Sequence, residues 1–248
     1  MEFKQYTYME SLVVLEAEVL GHFKNLPITN TLLASWIAMF ILAVVSILAT
    51  RKVQLIPSGL QSLFEIIVDF GYTTVEDLAG SKKAKAFFPI VMTFFLFILF
   101  SNWLGLMPGF ATIKFEGEHF LRSMNSDLNM TLGLALTSAA LTHAFAIYYL
   151  GIFGYLKKWF ALNPVFLFVG LLELVGEVTK VLSLSLRLFG NIFAGEVALL
   201  AVSSIFAFVA PLPFYFLEII VGFVQAAVFA MLTLVFMVLL SEKHAQEH

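Results

Sequence analysis

Residues 165–206 read VFLFVGLLELVGEVTKVLSLSLRLFGNIFAGEVALLAVSSIF, and this apolar run decides how the chain folds. About 20 apolar residues cross a bilayer as a helix, so a run of about 40 predicts a crossing helix that is tilted or bent. A second apolar run, residues 214–241, follows after a proline-containing break at 210–213. Together the two runs predict a long helical hairpin at the end of an all-α membrane protein.

The composition of the whole chain indicates that lipid, rather than water, surrounds most of it. Hydrophobic residues make up 60% and charged residues 12%, whereas soluble domains carry roughly 25% charged residues. The basic residues form no stripe and there is no glycine-rich phosphate loop, so we expect neither a nucleic acid partner nor a nucleotide site. Because the chain also has no cysteine, we expect no disulfide and no thiolate metal site.

Further uncharged runs predict three more transmembrane helices, and an acidic amphipathic run lies between the first two of them. In residues 57–80 apolar side chains recur at helical spacing while acidic residues occupy the other faces, as in a helix lying at the membrane interface. The sequence thus predicts a single membrane domain over 1–248, with about five transmembrane helices and one interfacial helix. Its predicted parts are an N-terminal segment 1–24, transmembrane helices 29–50, 86–107 and 128–156, an interfacial helix 57–80, and hairpin helices 165–206 and 214–241.

The loop charges predict the orientation of the chain in the membrane. With the N-terminus outside, the inner loops hold eight Lys and Arg residues and the outer loops hold four, which fits the positive-inside rule. We therefore expect a multi-pass membrane protein with its N-terminus outside and its C-terminus in the cytoplasm. Glu2, Glu10, Glu16 and Glu18 stand where a signal peptide would be basic and then apolar, so we expect the N-terminal segment to be retained.

Six ionisable residues interrupt the apolar hairpin, namely Glu173, Glu177, Lys180, Arg187, Glu196 and Glu218. A charge at a helix centre costs about 2.5 to 3.5 kcal/mol in a bilayer, so such residues need partners or water. We expect them to line an aqueous path or an interface with another helix.

Arg187 lies in a helical stripe of small residues. At about 100° per residue, the side chains near its face belong to Gly176, Ser183, Gly190, Asn191, Ala194 and Ala198. Small residues let a second helix approach closely in lipid, so the stripe predicts that another helix passes across Arg187. On the following helix Glu218 and Gln225 share a face and can oppose the Arg187 helix in the hairpin.

Three motifs carry a close resemblance to a known family. The run LSLRLFGN at 184–191, continued by AGE at 194–196, resembles the signature of subunit a of the F-type ATP synthase, and so do QA at 225–226 and NSDLNMT at 125–131. The resemblance implies a non-catalytic membrane subunit that conducts protons and works without a cofactor. The partners that it implies are the rotor c-ring, the peripheral stalk subunit b, the remainder of the F-type ATP synthase and membrane lipid.

The resemblance also implies roles for individual residues. Arg187 is expected to be the stator arginine, whose positive charge favours the ionised form of each passing rotor carboxylate and blocks a direct leak between two half-channels. Asn191 and Gln225 are expected to be its polar companions in the hairpin.

The carboxylates are divided by the resemblance between the two half-channels. Glu196 and Glu218 are expected in the one that opens to the outside, and Glu173, with Glu177 as a further candidate, in the cytoplasmic one. Some relatives carry His where Glu218 stands, so this acid is expected to act as a substitute relay. Glu177 also lies three residues before Lys180, and for these two we favour a simple helical pair.

Other interpretations stay open at this point. Arg187 could form a buried salt bridge with Glu173 or Glu218, and Glu196 and Glu218 could be satisfied polar core residues. His143 lies among Ala, Leu and Thr, which is typical of a locally hydrogen-bonded side chain, and we assign it no role.

The alternative function is a stand-alone cation/proton antiporter, although such transporters are usually longer and built from duplicated halves. The spans lack the nucleophile and base, paired aspartates or metal motif of an intramembrane enzyme.

Overall fold

The computed structural model describes residues 17–24, 26–51, 54–56, 59–107, 114–115, 118–119, 121–159, 164–205 and 209–242. Most of the predicted N-terminal segment 1–24 lies outside these residues, and so do Glu2, Glu10 and Glu16. The first residues of the predicted interfacial helix, 57–58, lie outside them as well.

Five long α-helices make up most of the described chain. They are α1 Asn30–Thr50, α2 Leu60–Gly105, α3 Leu128–Trp159, α4 Pro164–Ile205 and α5 Pro211–Ser241. Each contains a segment long and apolar enough to cross a membrane. Large apolar side chains such as Phe40, Phe70 and Phe153 are 71%, 75% and 90% exposed, as expected where the surrounding medium is lipid. These properties confirm the predicted all-α, multi-pass membrane protein.

Short strands lie between some of the helices. β1 Val19–Phe23 pairs antiparallel with β2 Leu26–Thr29 just before α1, and β3 Lys114–Phe115 pairs with β4 Glu118–His119 between α2 and α3. A 3-10 turn, Met124–Ser126, leads into α3. These elements could not be predicted from the sequence, because strands this short carry no clear alternation of apolar and polar side chains.

Two glycines interrupt the helical geometry of α2 and α3. Gly80 has φ 73° and ψ 155°, and Gly151 has φ 73° and ψ 160°, a backbone conformation that residues with a Cβ rarely adopt. The break in α2 falls at the end of the predicted interfacial helix 57–80, and the helix then continues to Gly105. The break in α3 falls inside the run 128–156, for which the sequence predicted a continuous helix. Placement of the first part of α2 along the membrane interface stays a prediction.

The starts of three helices have clear causes in the sequence. Asp127 caps α3, because its Oδ1 accepts a hydrogen bond from the backbone N–H of Asn129 at 2.9 Å. Its Oδ2 accepts a second one from the Thr31 hydroxyl of α1, also at 2.9 Å. Pro164 and Pro211 open α4 and α5, where the missing N–H of proline costs no helical hydrogen bond. The helix α5 therefore begins at Pro211 rather than at residue 214.

The chain forms two compact units. The first unit consists of the described parts of residues 1–43, 97–131 and 187–225, and the second of the described parts of 44–96, 132–186 and 226–248. Buried apolar residues form a core in each. In the first unit these are Ala34, Ala38, Leu104, Leu121 and Met124, and in the second Val75, Ala84, Phe87, Val91, Ala230, Leu234 and Met237.

Candidate functional site

The part of α4 that belongs to the first unit has one buried and one exposed face. Leu188 is fully buried and Ile192 is only 7% exposed, whereas Arg187, Asn191 and Ala194 are exposed. The arginine therefore lies on the surface of the described chain, among small and polar side chains. Such a face can receive another helix closely, because Asn191 and Ala194, which share it with Arg187, have short side chains.

Asn191 and Gln225 join α4 to α5 in the first unit. The Asn191 side-chain Nδ2 donates a hydrogen bond to Gln225 Oε1 at 2.7 Å. Gln225 is 4% exposed, and among the described residues its buried Nε2 has no hydrogen-bond partner. The two residues predicted as companions of Arg187 are thus in direct contact, one turn along α4 from the arginine.

Glu218 of α5 occupies space that Gly195 of α4 leaves empty. A Cβ at position 195 would lie only 2.6 Å from Glu218 Oε2, and it would also collide with Oε1 and Cδ. Glu218 is 7% exposed, so its carboxylate has little room to move aside. The glycine is therefore a steric requirement for the buried acid.

A small cavity in the first unit brings together two of the predicted site residues. Its lining residues are Asn102, Gly105, Leu106, Ser123, Ile192, Glu196 and Glu218. The cavity offers about 10 Å³ of room for the centre of a water molecule, which is about the space that one water needs. Ser123 Oγ is buried, and no described residue is its hydrogen-bond partner. A water in this cavity would give that hydroxyl a partner beside two carboxylates.

Arg122 lies next to Glu196 in the same unit. Its Nε is 3.9 Å from Glu196 Oε2, and it donates a hydrogen bond to Ser126 Oγ at 3.2 Å. Side-chain exposures of 15% for Arg122 and 30% for Glu196 place the pair partly in contact with the surroundings. The cavity thus has a cation beside one of its two acids.

A chain of amide hydrogen bonds connects this region to α5. Asn125 Nδ2 donates to Asn102 Oδ1 at 2.7 Å, and Asn102 Nδ2 donates to the backbone carbonyl of Gly222 at 3.0 Å. All three residues are buried. The network holds α2, the turn before α3 and α5 together at the level of the cavity.

The second unit contains the other predicted carboxylates, Glu173 and Glu177, on α4. Glu177 Oε1 accepts a hydrogen bond from Lys180 Nζ at 2.6 Å, which is the helical pair favoured from the sequence. Its Oε2 lies 3.9 Å from His143 Nε2. Glu173 is partly buried. Glu177 therefore belongs to a polar group that includes His143, a residue to which the sequence analysis gave no role.

The sequence model of a family described as ATP synthase A chain matches residues 32–238. This chain belongs to that family. Among similar proteins, the ATP synthase subunit a of Moorella thermoacetica is 35% identical over 215 residues, covering 87% of this chain and 92% of the relative. That of Gloeobacter violaceus is 35% identical over 219 residues, with coverages of 88% and 86%. ATP synthase subunit a 1 of Hahella chejuensis is 34% identical over 215 residues, with coverages of 87% and 85%.

The range matched by the ATP synthase A chain family includes every site residue described above. The sequence did not predict that several of these residues belong to the site, namely Asn102, Arg122, Ser123 and His143, nor the steric role of Gly195. Ser101 and Asn102 are adjacent polar residues inside an apolar run, and His143 is ionisable inside a span, so both carried a signal. Arg122 and Ser123 precede α3 in a non-helical stretch, where no periodicity could connect them to Glu196.

Proposed function

We propose that this chain is the proton-translocating stator subunit of an F-type ATP synthase, a non-catalytic subunit that passes protons to and from a rotor c-ring. The observation that carries the proposal is an exposed Arg187 among small residues of α4, in a member of the ATP synthase A chain family. The similar proteins named ATP synthase subunit a support the same function. The further partners are the peripheral stalk subunit b, the rest of the ATP synthase and membrane lipid.

Arg187 acts on carboxylates that the rotor brings to it. A guanidinium stays charged at all physiological pH values, and a nearby cation favours the ionised form of a carboxyl group. A rotor carboxyl therefore releases its proton near Arg187 and takes up a new one away from it. The Asn191–Gln225 hydrogen bond supports this role, because it fixes the register of α4 against α5 beside the arginine face.

Glu196 and Glu218 form the half-channel that opens to the outside. Their shared cavity supports this assignment, because a single water could connect either carboxylate with the Ser123 hydroxyl. A proton that reaches one acid can then pass to the other without crossing an apolar gap. Arg122 limits the cost of an ionised Glu196 in this place.

Glu173 and Glu177 serve the second, cytoplasmic half-channel. An F-type ATP synthase subunit of this kind would lie in the cell inner membrane, and the loop charges indicate an outer N-terminus and a cytoplasmic C-terminus. Two offset half-channels make each proton travel with the rotor for most of a turn. Each elementary charge that crosses releases about 2.3 kcal/mol per 100 mV, so several protons are needed for each ATP.

The proposal is tested by Arg187→Ala in the complete ATP synthase reconstituted into lipid vesicles. We expect the variant to abolish ATP-driven proton pumping, measured by quenching of a pH-sensitive dye. Arg51→Ala, at an exposed arginine after α1, is the matched control and should pump normally. Pumping by Arg187→Ala at the rate of the control would refute the stator role.

Affinity purification of the chain from membranes distinguishes this function from that of a stand-alone antiporter. The stator role requires a ring of small hairpin subunits and a peripheral stalk in the purified material. A chain that purifies alone and exchanges cations for protons in vesicles would instead be an antiporter.

A further inference from the structure

A chain of neighbouring polar side chains runs from α3 to α4 in the second unit. Tyr155 Oη lies 3.0 Å from His143 Nδ1, His143 Nε2 lies 3.9 Å from Glu177 Oε2, and Glu177 Oε1 accepts from Lys180 Nζ at 2.6 Å. We call these four residues the His143 chain. It lies within segments apolar enough to cross a membrane, where ionisable side chains are costly and are found mainly along ion and proton paths.

A simple structural pair does not account for this arrangement. Lys180 already satisfies Glu177, and its Nζ also lies 4.8 Å from the centre of the Phe236 ring. Lys180 contacts Glu177 through Oε1, so Oε2 is the oxygen that faces His143. His143 and Tyr155 therefore add a titratable ring and a hydroxyl to an ion pair that needed neither.

Aromatic rings lie next to His143. The Trp159 ring centre lies 6.4 Å from that of His143 and 6.0 Å from that of Tyr155. The side chains of His143 and Lys180 are 29% and 30% exposed, whereas that of Glu177 is 13% exposed. The His143 chain thus leads from partly exposed groups to a more buried carboxylate.

We propose that Tyr155, His143 and Glu177 form a proton relay that supplies the half-channel to which the proposed stator function assigns Glu173 and Glu177. The imidazole of His143 takes up a proton at one ring nitrogen and releases one from the other, so its charge is unchanged after each transfer. The Tyr155 hydroxyl likewise gives one proton and receives one. No other bond is made or broken along the relay.

The distance between His143 and Glu177 sets one requirement for this relay. A hydrogen bond needs roughly 2.7 to 3.2 Å between nitrogen and oxygen, and His143 Nε2 and Glu177 Oε2 are 3.9 Å apart. A bridging water, or a side-chain movement of about 1 Å, closes this gap during transfer. Lys180 keeps the other carboxylate oxygen fixed, which makes the position of Oε2 reproducible.

The experiment uses the whole ATP synthase in vesicles and compares His143→Gln with His143→Leu. Passive proton conductance is measured after removal of the catalytic head, and ATP-driven pumping is measured with the head present. Both rates are normalised to the amount of the chain in the purified complex. Gln can still hydrogen-bond to Tyr155, but its amide cannot take up and release a proton near neutral pH. We therefore expect both variants to lose conductance by roughly tenfold.

Tyr155→Phe tests the other end of the relay, and Tyr148→Phe on the same helix is its matched control. Tyr148 is 78% exposed and contacts Tyr149, so its hydroxyl is not part of the His143 chain. We expect Tyr155→Phe to lower conductance severalfold and Tyr148→Phe to leave it unchanged. Added imidazole should restore part of the conductance of a His143→Gly variant, which a purely structural histidine would not allow.

Two results would overturn the relay. Wild-type conductance in His143→Gln with loss only in His143→Leu would make the histidine a packing residue. Wild-type conductance in all three His143 variants and in Tyr155→Phe would show that neither residue belongs to the proton path. The variant Arg187→Ala, measured alongside, separates the two proposals: if it abolishes pumping while the His143 variants pump normally, the stator function stands and the relay fails.

Discussion

In the first unit Glu218 fits into the space left by Gly195 of the neighbouring helix, whereas in the second unit Glu177 is held by the ammonium of Lys180 at 2.6 Å. The first acid is thus placed by shape and the second by charge. Glu196 is intermediate, because the Arg122 Nε is 3.9 Å away and Glu196 also lines the cavity. An acid placed by shape keeps its oxygens available to water, whereas an ion pair engages one of them.

The largest effect that would test this comparison is expected from Gly195→Ala. The added Cβ would collide with the Glu218 carboxylate, and overpacking of this kind costs about 1 to 3 kcal/mol of stability. Because the collision would displace the carboxylate from the cavity, we expect proton conductance to fall by roughly tenfold or more. Gly133→Ala on α3 is the control, because apart from its own helical turn no described residue would lie within 4 Å of the added Cβ. Normal conductance of Gly195→Ala in vesicles would show that the placement by shape is not needed.

Glu218→Gln keeps the shape of the side chain and removes its proton. We expect proton conductance to fall by about tenfold, because an amide cannot take part in acid–base transfer. Glu218→His should retain much more conductance, since an imidazole can take up and release a proton near neutral pH. Equal rates in Glu218→Gln and the wild-type complex would mean that Glu218 only fills space.

Arg122→Gln tests whether the first unit also depends on charge. The partly exposed pair with Glu196 is worth ~1 kcal/mol or less, so we expect conductance to change by roughly twofold to fivefold. The effect should shrink as salt is raised, because screening already weakens the pair in the wild type. A change larger than that of Glu218→Gln would mean that conductance through this unit depends more on the charge of Arg122 than on the acid that is placed by shape.

Lys180→Met should have the smallest effect on conductance. In the proposed relay Lys180 positions Glu177 but passes no proton itself, so we expect conductance to change within about twofold, while loss of the ion pair with the largely buried Glu177 should lower stability. Conductance is measured in the same vesicles, and thermal unfolding of the purified complex reports stability. A loss as large as that of His143→Gln would mean that the ammonium itself belongs to the proton path.

The spans and the polar face of α4 could be predicted from the sequence, because both depend on local patterns. Long apolar runs define the helices, and helical register alone places Arg187 and Asn191 on one face. The breaks at Gly80 and Gly151 could not be predicted, because a glycine in an apolar run fits either a straight or an interrupted helix.

The parts of the site that depend on tertiary packing were beyond the sequence. His143 is separated from Glu177 by the end of α3 and the start of α4, and only packing reveals that the two meet. Arg122 precedes α3 in a stretch without periodicity and reaches Glu196 of α4. The space at Gly195 likewise becomes visible only when α5 is placed beside it.

The bond between Thr31 and Asp127 has a consequence for biosynthesis. The two side chains are 96 residues apart in the chain, and Thr31 is fully buried. When α1 leaves the ribosome, the carboxylate that its threonine will meet has not yet been translated. The start of α1 therefore completes its packing only after the third helix begins to emerge, so this contact is made late during membrane insertion.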